Sequence, residues 1–387
     1  MINREITSEF KKLLKEYPIV TILGPRQSGK TTLAKMSLKK YEYCNLENPE
    51  DRQYALDDPK AFLSQFSGKV ILDEIQRVPI LLSYIQTIVD NKKLNGQFVL
   101  TGSHQLEIQQ AISQSLAGRT AILHLLPLSI KELDKAGIKY SSFEDYVIKG
   151  FLPRVYDQNQ RPTVAYSNYY QTYVERDVRQ LIKLKNVTLF EKFIKLLAGR
   201  VGQLIDYNSF AGDVGVDAKT IKEWLAILEA SFVIFKLPPF YKNFGKRVIK
   251  SLKYYFIDVG LLVFLLGIEK TKQIKRDPLF GNIFENLVVI EALKSRFNKG
   301  RLSNLYFFRD SNGKEIDLLC NDANEIIAIE IKAAETYHPS FFKNLDDIKN
   351  FSENVTKTFL IYNGQKKSFK NSGHQALCFN QIDHIFL

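Results

Sequence analysis

The chain has 387 residues, 45% hydrophobic and 25% charged, with a formal net charge of +12 and a sequence pI near 9.3. That length exceeds one ordinary core, so several domains are expected, and the composition excludes a disordered or collagen-like chain. The positive balance biases the partners toward polyanions, or serves solubility alone. Cys44, Cys320 and Cys378 lie far apart with no CxxC pair, which argues against structural zinc or a disulfide framework and for a reducing compartment. The first residues, MINREITSEFKKLLK, have no apolar signal core, and the oily stretch from Tyr254 to Ile268 is cut by Asp258 and too short to span a bilayer. A cytoplasmic protein with no membrane partner is the expectation.

The first third alternates strands and helices. Pro18–Leu23 runs straight into a glycine-rich turn, and a helix follows from Thr31. Tyr43–Leu46, Lys69–Leu72, Gln97–Leu100 and Ala121–Leu126 are further short apolar runs bounded by breakers. Such continuous runs predict a parallel sheet covered on both faces, an α/β layer. Residues 131–200 read as mostly helical, broken at Gly150-Phe-Leu-Pro153. Two helices follow with Ser209 and Asp217 as candidate N-caps, and Ile221, Leu225 and Leu228 mark one apolar face. Strands are predicted over Phe232–Leu237 and Tyr254–Ile257. Residues 269–278 read as a linker and 279–299 as one helix. Strands Asn304–Phe308 and Glu315–Cys320 flank the turn Ser311-Asn312-Gly313, and Ile326–Lys332 is the last strand expected.

Three groups of residues carry chemistry. Gly24-Pro25-Arg26-Gln27-Ser28-Gly29-Lys30-Thr31, followed by Thr32, fits G-x-x-x-x-G-K-[ST] at every fixed position. The glycines let amide N–H groups face phosphates, Lys30 would reach the β- and γ-phosphates, and the Thr31 hydroxyl would hold Mg²⁺. Val70-Ile-Leu-Asp73-Glu74 delivers two carboxylates to a strand's carboxyl end, Asp73 for the magnesium shell and Glu74 as base for water. Phe98-Val-Leu-Thr101-Gly-Ser103 would let Thr101 or Ser103 sense the γ-phosphate. Arg119 is a candidate γ-phosphate arginine, from its own chain or a neighbour's, or else an exposed arginine before a strand.

The second group is basic and aromatic. From Lys236 to Ile257 there are Lys236, Lys242, Lys246, Arg247, Lys250 and Lys253, no acidic residue, and Phe240, Tyr241, Phe244, Tyr254 and Tyr255 among them. Phosphate neutralisation with aromatic stacking suits that mixture, as do protein contacts with the aromatics in a core. The third group is Glu285 on a helix, Asp317 in one strand, and Glu330 with Lys332 in another. Strand period puts Glu330 and Lys332 on one face, an arrangement suited to metal-assisted phosphodiester hydrolysis or, in a decayed fold, to ion pairs.

The motifs GPRQSGKTTL, ILDEIQ, VLTGSH, Ala117-Gly-Arg119 with LPLS and Glu132, and Glu175-Arg-Asp-Val178 together resemble one family. It is the bacterial and archaeal AAA-type P-loop ATPases fused to a C-terminal region with a restriction-endonuclease-like end. The resemblance runs nearly the whole chain and is densest over 20–135 and 280–335. It implies a multidomain α/β fold: an AAA-type ATPase domain over 1–130, a helical lid or linker over 131–185, a winged helix over 186–268, and a PD-(D/E)xK nuclease-like α/β domain over 279–387. It implies ATP and Mg²⁺ as cofactors, roles for Lys30, Thr31, Asp73, Glu74, Ser103 and Arg119 at the phosphates, and a C-terminal metal motif of Asp317, Glu330 and Lys332 with Glu285 as a further ligand. The expectation is an ATPase whose nucleotide state repositions the other modules on DNA, with a homo-oligomer as a possible assembly. The alternative is an ATP-dependent signalling or oligomerisation switch with an inert nuclease-like scaffold.

Overall fold

A computed structural model describes residues 2–103, 115–178, 187–240, 251–322, 325–351, 354–364, 369–371 and 373–386. Side chains are described over the same residues except 175–178, 349–351 and 369–371. Lys242, Lys246, Arg247, Lys250, Tyr241 and Phe244 lie outside the described residues.

The amino-terminal layer begins with α1 (Thr7–Glu16), then β1 (Ile19–Leu23), α2 (Lys30–Ser37), β2 (Glu42–Asn45), α3 (Pro49–Asp57), α4 (Pro59–Ser64), β3 (Val70–Asp73), α5 (Leu81–Lys92), β4 (Phe98–Gly102) and β5 (Thr120–His124). The strands form one parallel sheet in the order β2-β3-β4-β1-β5. All five residues of β1 are buried, as a sheet covered on both faces demands. The period of two sorts them: Val20 and Ile22 pack with Phe10 and Leu14 of α1 and Leu33 of α2, while Ile19 and Leu23 face Leu81 and Ile85 of α5. The insertion of β4 between β1 and β3 sets the glycine-rich loop and the acidic strand end one strand apart on the same edge.

The helical segment holds α6 (Ile130–Lys135), α7 (Phe143–Lys149), α8 (Pro153–Asp157) and α9 (Pro162–Tyr169), the last continuing as a π-helix over Tyr170–Val178. Its break at 150–153 has a side-chain cause. Gly150 adopts φ +65°, and Tyr166 packs where a β-carbon would stand. The Tyr166 hydroxyl donates to Asp258 Oδ1 at 2.7 Å, and the Phe151 N–H donates to Asp258 Oδ2 at 3.1 Å. Burial pushes the Asp258 carboxyl up, against the pull of Lys294 and these donors.

Next come α10 (Val187–Ala198), β6 (Leu204–Ile205), α11 (Tyr207–Val214), α12 (Ala218–Ala230), β7 (Ile234–Leu237) and β8 (Leu252–Phe256), with an antiparallel sheet in the order β6-β8-β7. Phe190, Phe193, Phe210 and Trp224 close its core; Phe193 and Trp224 meet edge to face at 5.1 Å. Asp217 caps α12 as expected, through the Thr220 N–H. At α11 the cap is Asp206, which accepts from the Ser209 N–H, so Ser209 is the capped residue and not the cap.

After α13 (Val259–Leu265) and α14 (Thr271–Ile274), the carboxyl-terminal unit comprises α15 (Phe280–Phe297), β9 (Leu305–Arg309), β10 (Glu315–Asp322), β11 (Glu325–Lys332), α16 (Lys343–Phe351), β12 (Val355–Tyr362), β13 (Phe369–Asn371) and β14 (His374–Cys378). Its mixed sheet runs β13-β14-β12-β11-β10-β9. The expected turn at Ser311-Asn312-Gly313 joins β9 to β10, with Gly313 at φ +82°. The chain does not end its strands at Lys332: β12 adds parallel to β11, and β14 parallel to β12. Ile327, Ile329 and Ile331 pack with Leu287 and Leu293 of α15, while Leu319, Ala328 and Leu360 pack with Leu345 and Ile348 of α16.

Gly150→Ala should destabilise the protein by about 2 kcal/mol or more, since the new methyl meets Tyr166 at a left-handed backbone position. Gly281→Ala, in α15 with nothing within 4 Å of the new β-carbon, is the steric control in the same denaturant titration and should stabilise by up to about 1 kcal/mol. Equal midpoints for the two variants would contradict this account of the break.

Candidate functional site

Strand β1 ends at Leu23, and the loop from Gly24 to Gly29 leads into the first turn of α2. Gly29 sits at φ +92° and ψ +24°, a left-handed conformation that a side chain would strain, and it opens the helix. Lys30 is buried, and its ammonium donates to the carbonyls of Gly24 at 3.0 Å and Pro25 at 2.9 Å. Burial lowers the Lys30 pKa, while Glu74 and Asp73 oppose that shift. The Ser28 hydroxyl is buried and finds no partner among the described residues. Gln27 has φ +62°, and Arg26 pairs with Glu47 at 3.6 Å. Arg26, Gln27, Gly29, Lys30, Thr31 and Thr32 line a cleft of about 620 Å³.

The acidic strand end meets this loop. Thr31 Oγ1 donates to Asp73 Oδ2 at 2.8 Å, and Tyr43 in β2 donates to the same oxygen at 2.8 Å. Thr101 in β4 donates to Asp73 Oδ1 and accepts the Glu74 N–H at 3.2 Å. Glu74 follows the strand at φ +58°, ψ +47°, the left-handed region where a residue of its kind is uncommon. Its carboxylate accepts from Ser103 Oγ at 3.1 Å and from Gln76, which also reaches Ser103 at 3.3 Å. The structure thus brings together Lys30, Thr31, Asp73, Glu74, Thr101 and Ser103. The oxygen pair of Thr31 and Asp73, beside a buried lysine and an unpartnered hydroxyl, is the hard donor set that suits Mg²⁺ with a phosphate.

Arg119 does not join them. It precedes β5 at the opposite edge of the sheet, where its carbonyl accepts the Ile19 N–H, and its guanidinium holds Asp90 at 2.6 and 2.8 Å. The arginines that line the cleft are Arg4, Arg26 and Arg154. Arg4 donates to Ser28 O at 2.6 Å, Leu126 O at 2.6 Å and Glu132 Oε1 at 3.0 Å, tying the segment before α1 to the loop and to α6. Nothing in its sequence context marks Arg4. Nor does the sequence mark Tyr43, an ordinary aromatic in a short strand, and Gln76 is visible only as the end of ILDEIQ.

The carboxyl-terminal acids are arranged as ion pairs. Lys253 of β8 reaches Glu285 Oε1 at 3.1 Å and Glu315 Oε1 at 2.6 Å, and Tyr255 donates to Glu285 at 2.5 Å. Lys332 holds Glu330 at 2.6 Å and lies 3.8 Å from Asp317, which accepts the Ile331 N–H at 2.7 Å. Burial raises the pKa of Glu285, Asp317 and Glu330, in each case against a neighbouring lysine. For Lys253 burial pulls downward, but Glu285, Glu315 and Asp317 outweigh it and hold the ammonium charged. Among the described residues no group of three or more such side chains is placed to hold a metal ion. Of the expected C-terminal residues, the structure pairs Glu285 with Lys253 and brings Asp317, Glu330 and Lys332 together. Of the basic and aromatic segment, Phe240, Tyr254 and Tyr255 are buried, Lys253 pairs with Glu285 and Glu315, and Lys236 pairs with Glu229 at 3.0 Å.

Residues 16–134 match the model of an AAA domain, and residues 140–272 and 280–382 match two domains of unknown function. Uncharacterized proteins of Mycobacterium tuberculosis and Mycobacterium bovis are each 30% identical over 348 residues, covering 89% of this chain and 76% of theirs. An uncharacterized protein of Haemophilus influenzae is 24% identical over 404 residues, covering 93% of each chain. Among solved structures, the Walker-type ATPase of Pyrococcus abyssi is similar over 69% of this chain and 96% of that one, at 13% identity and a TM-score of 0.45. No helix among the described residues is long and apolar enough to cross a membrane.

Lys253→Met should cost about 3 kcal/mol, because it leaves the half-buried Glu285 without its counter-charge, whereas Glu315 keeps Arg309 at 2.8 Å. Adding Glu285→Gln should recover part of the loss in a denaturant double-mutant cycle. Additive effects would show that the pair is not coupled.

Proposed function

The chain belongs to the AAA-domain family of these mycobacterial relatives, and from that premise we propose that it binds ATP with Mg²⁺ and hydrolyses the γ-phosphate. The observation that carries the reading is the Thr31–Asp73 contact in front of the loop, with Glu74 held beside it by Ser103 and Gln76. Loop amides and Lys30 would bind the β- and γ-phosphates, Lys30 exchanging two carbonyl acceptors for phosphate oxygens. Thr31 and Asp73 would hold Mg²⁺, which when bound neutralises charge on the phosphates. Glu74 takes the proton of the attacking water, and Ser103 and Gln76 aim its carboxylate.

Nucleotide state would then act on the rest of the chain as a switch. The order helix, strand, helix, helix, strand, strand over α10 to β8 supports reading this segment as a winged helix. The order helix, three antiparallel strands, helix and a parallel fourth strand over α15 to β12 fits a restriction-endonuclease-like core. With its acids held by Lys253 and Lys332, that unit serves as a scaffold in this reading and not as a nuclease. A DNA partner is a second reading, favoured by the net charge of +12. It requires affinity that falls steeply with salt and weakens when Lys246, Arg247 and Lys250 are neutralised.

Glu74→Gln should lower ATP turnover about 10²–10⁴-fold while leaving ATP affinity near that of the parent. Turnover unchanged by the substitution would remove Glu74 from the reaction. Across a panel of DNA and RNA with Mg²⁺ or Mn²⁺, the intact chain should cut nothing. Cleavage that disappears in Asp317→Ala would overturn the scaffold reading.

A further inference from the structure

Tyr43 is an aromatic residue on the edge strand β2, and its hydroxyl points into the acidic centre of the nucleotide site. The Asp73 carboxylate is gripped by hydroxyls from three other elements: Thr31 of α2 and Tyr43 of β2 on Oδ2, and Thr101 of β4 on Oδ1. A carboxylate offers about four lone-pair positions, and three donors leave it little freedom to turn. Thr31 is the donor that a cation would share. Tyr43 and Thr101 hold Asp73 from the strands on either side of it.

The Tyr43 ring is itself held. Lys35, four residues after Thr31 on α2, places its ammonium 3.4 Å from the ring centroid. A cation on the ring face draws electron density from the phenol and strengthens its hydroxyl as a donor. One helix therefore supplies both the Thr31 hydroxyl on Asp73 and the cation that steadies the other donor to the same oxygen.

We propose that Tyr43 is a positioning residue for the magnesium shell, fixing Asp73 so that it and Thr31 present their oxygens together. The proposal rests on the ATP–Mg²⁺ reading above and adds a residue that no motif marks. Loss of such an outer partner weakens metal affinity about 10–100-fold in well-studied metal sites. Tyr43→Phe removes the hydroxyl and keeps the ring beneath Lys35.

The test is calorimetric titration of the full chain with ATP, once in excess EDTA and once across a range of Mg²⁺ concentrations. Tyr43→Phe should bind ATP in EDTA as the parent does, yet need about tenfold more Mg²⁺ for half of the metal-dependent gain in affinity. An unchanged Mg²⁺ midpoint would overturn the proposal while leaving the ATP site intact. A parent chain whose ATP affinity ignores Mg²⁺ would overturn both this inference and the reading beneath it. Lys35→Met guards against a folding defect in Tyr43→Phe. It leaves the hydroxyl but frees the ring, and should raise the Mg²⁺ midpoint about 2–5-fold. If Lys35→Met also leaves the midpoint unmoved, the proposal is wrong.

Discussion

The carboxylate of Asp73 is the joint on which the nucleotide site depends. It is buried at the end of β3, and a charge in that position survives only if its oxygens are satisfied. Hydroxyls of Thr31, Tyr43 and Thr101 do this from α2, β2 and β4. Their convergence fixes the register of the acidic strand against the loop helix. It also explains why Glu74 can be held at a strained left-handed backbone position: its N–H is bonded to Thr101, and its side chain to Ser103 and Gln76.

A second set of buried contacts joins this site to the rest of the chain. Arg4 grips the Ser28 carbonyl of the loop, the Leu126 carbonyl and Glu132 of α6. Two residues beyond Leu126, the Leu128 carbonyl accepts from Lys294 of α15, and Glu291 of α15 accepts the Ile130 N–H. Lys294 and Glu291 are themselves paired at 2.8 Å and buried. The short segment 126–132 is thus clamped by the loop's own anchor on one side and by the first helix of the carboxyl-terminal unit on the other. In the proposed switch reading, these polar contacts through 126–132 are where a displacement of the loop would reach α15.

Much of the nucleotide site was legible in the sequence because its chemistry is local. Gly24 to Thr31 must be contiguous to wrap a phosphate, and Asp73-Glu74 must end an apolar strand, so spacing alone finds them. The parallel sheet was legible for the same reason, in runs such as Val70–Asp73. What a single sequence does not show depends on distant partners. Arg119 is adjacent in sequence to a strand but sits at its starting edge, and a single sequence does not say which end faces the loop until the strand order is known. Nothing in the D…ExK pattern of Asp317, Glu330 and Lys332 announces Lys253, which arrives from β8, 64 residues before Asp317, to pair with Glu285 and Glu315. Arg4 and Tyr43 were invisible because each acts through residues at least 24 positions away. β12 and β14 are hard to read because polar stretches interrupt the apolar signal beyond Lys332, as Gln365-Lys366-Lys367-Ser368 does.

The central claim is that the loop at 24–31 turns over ATP with Mg²⁺. Release of inorganic phosphate from ATP by the full chain tests it most directly, compared across Mg²⁺, excess EDTA and the variant Lys30→Ala. The account predicts saturable release with Mg²⁺ that is abolished by EDTA and by Lys30→Ala. Release that persists in Lys30→Ala, or a parent chain that neither binds nor hydrolyses ATP, would contradict it.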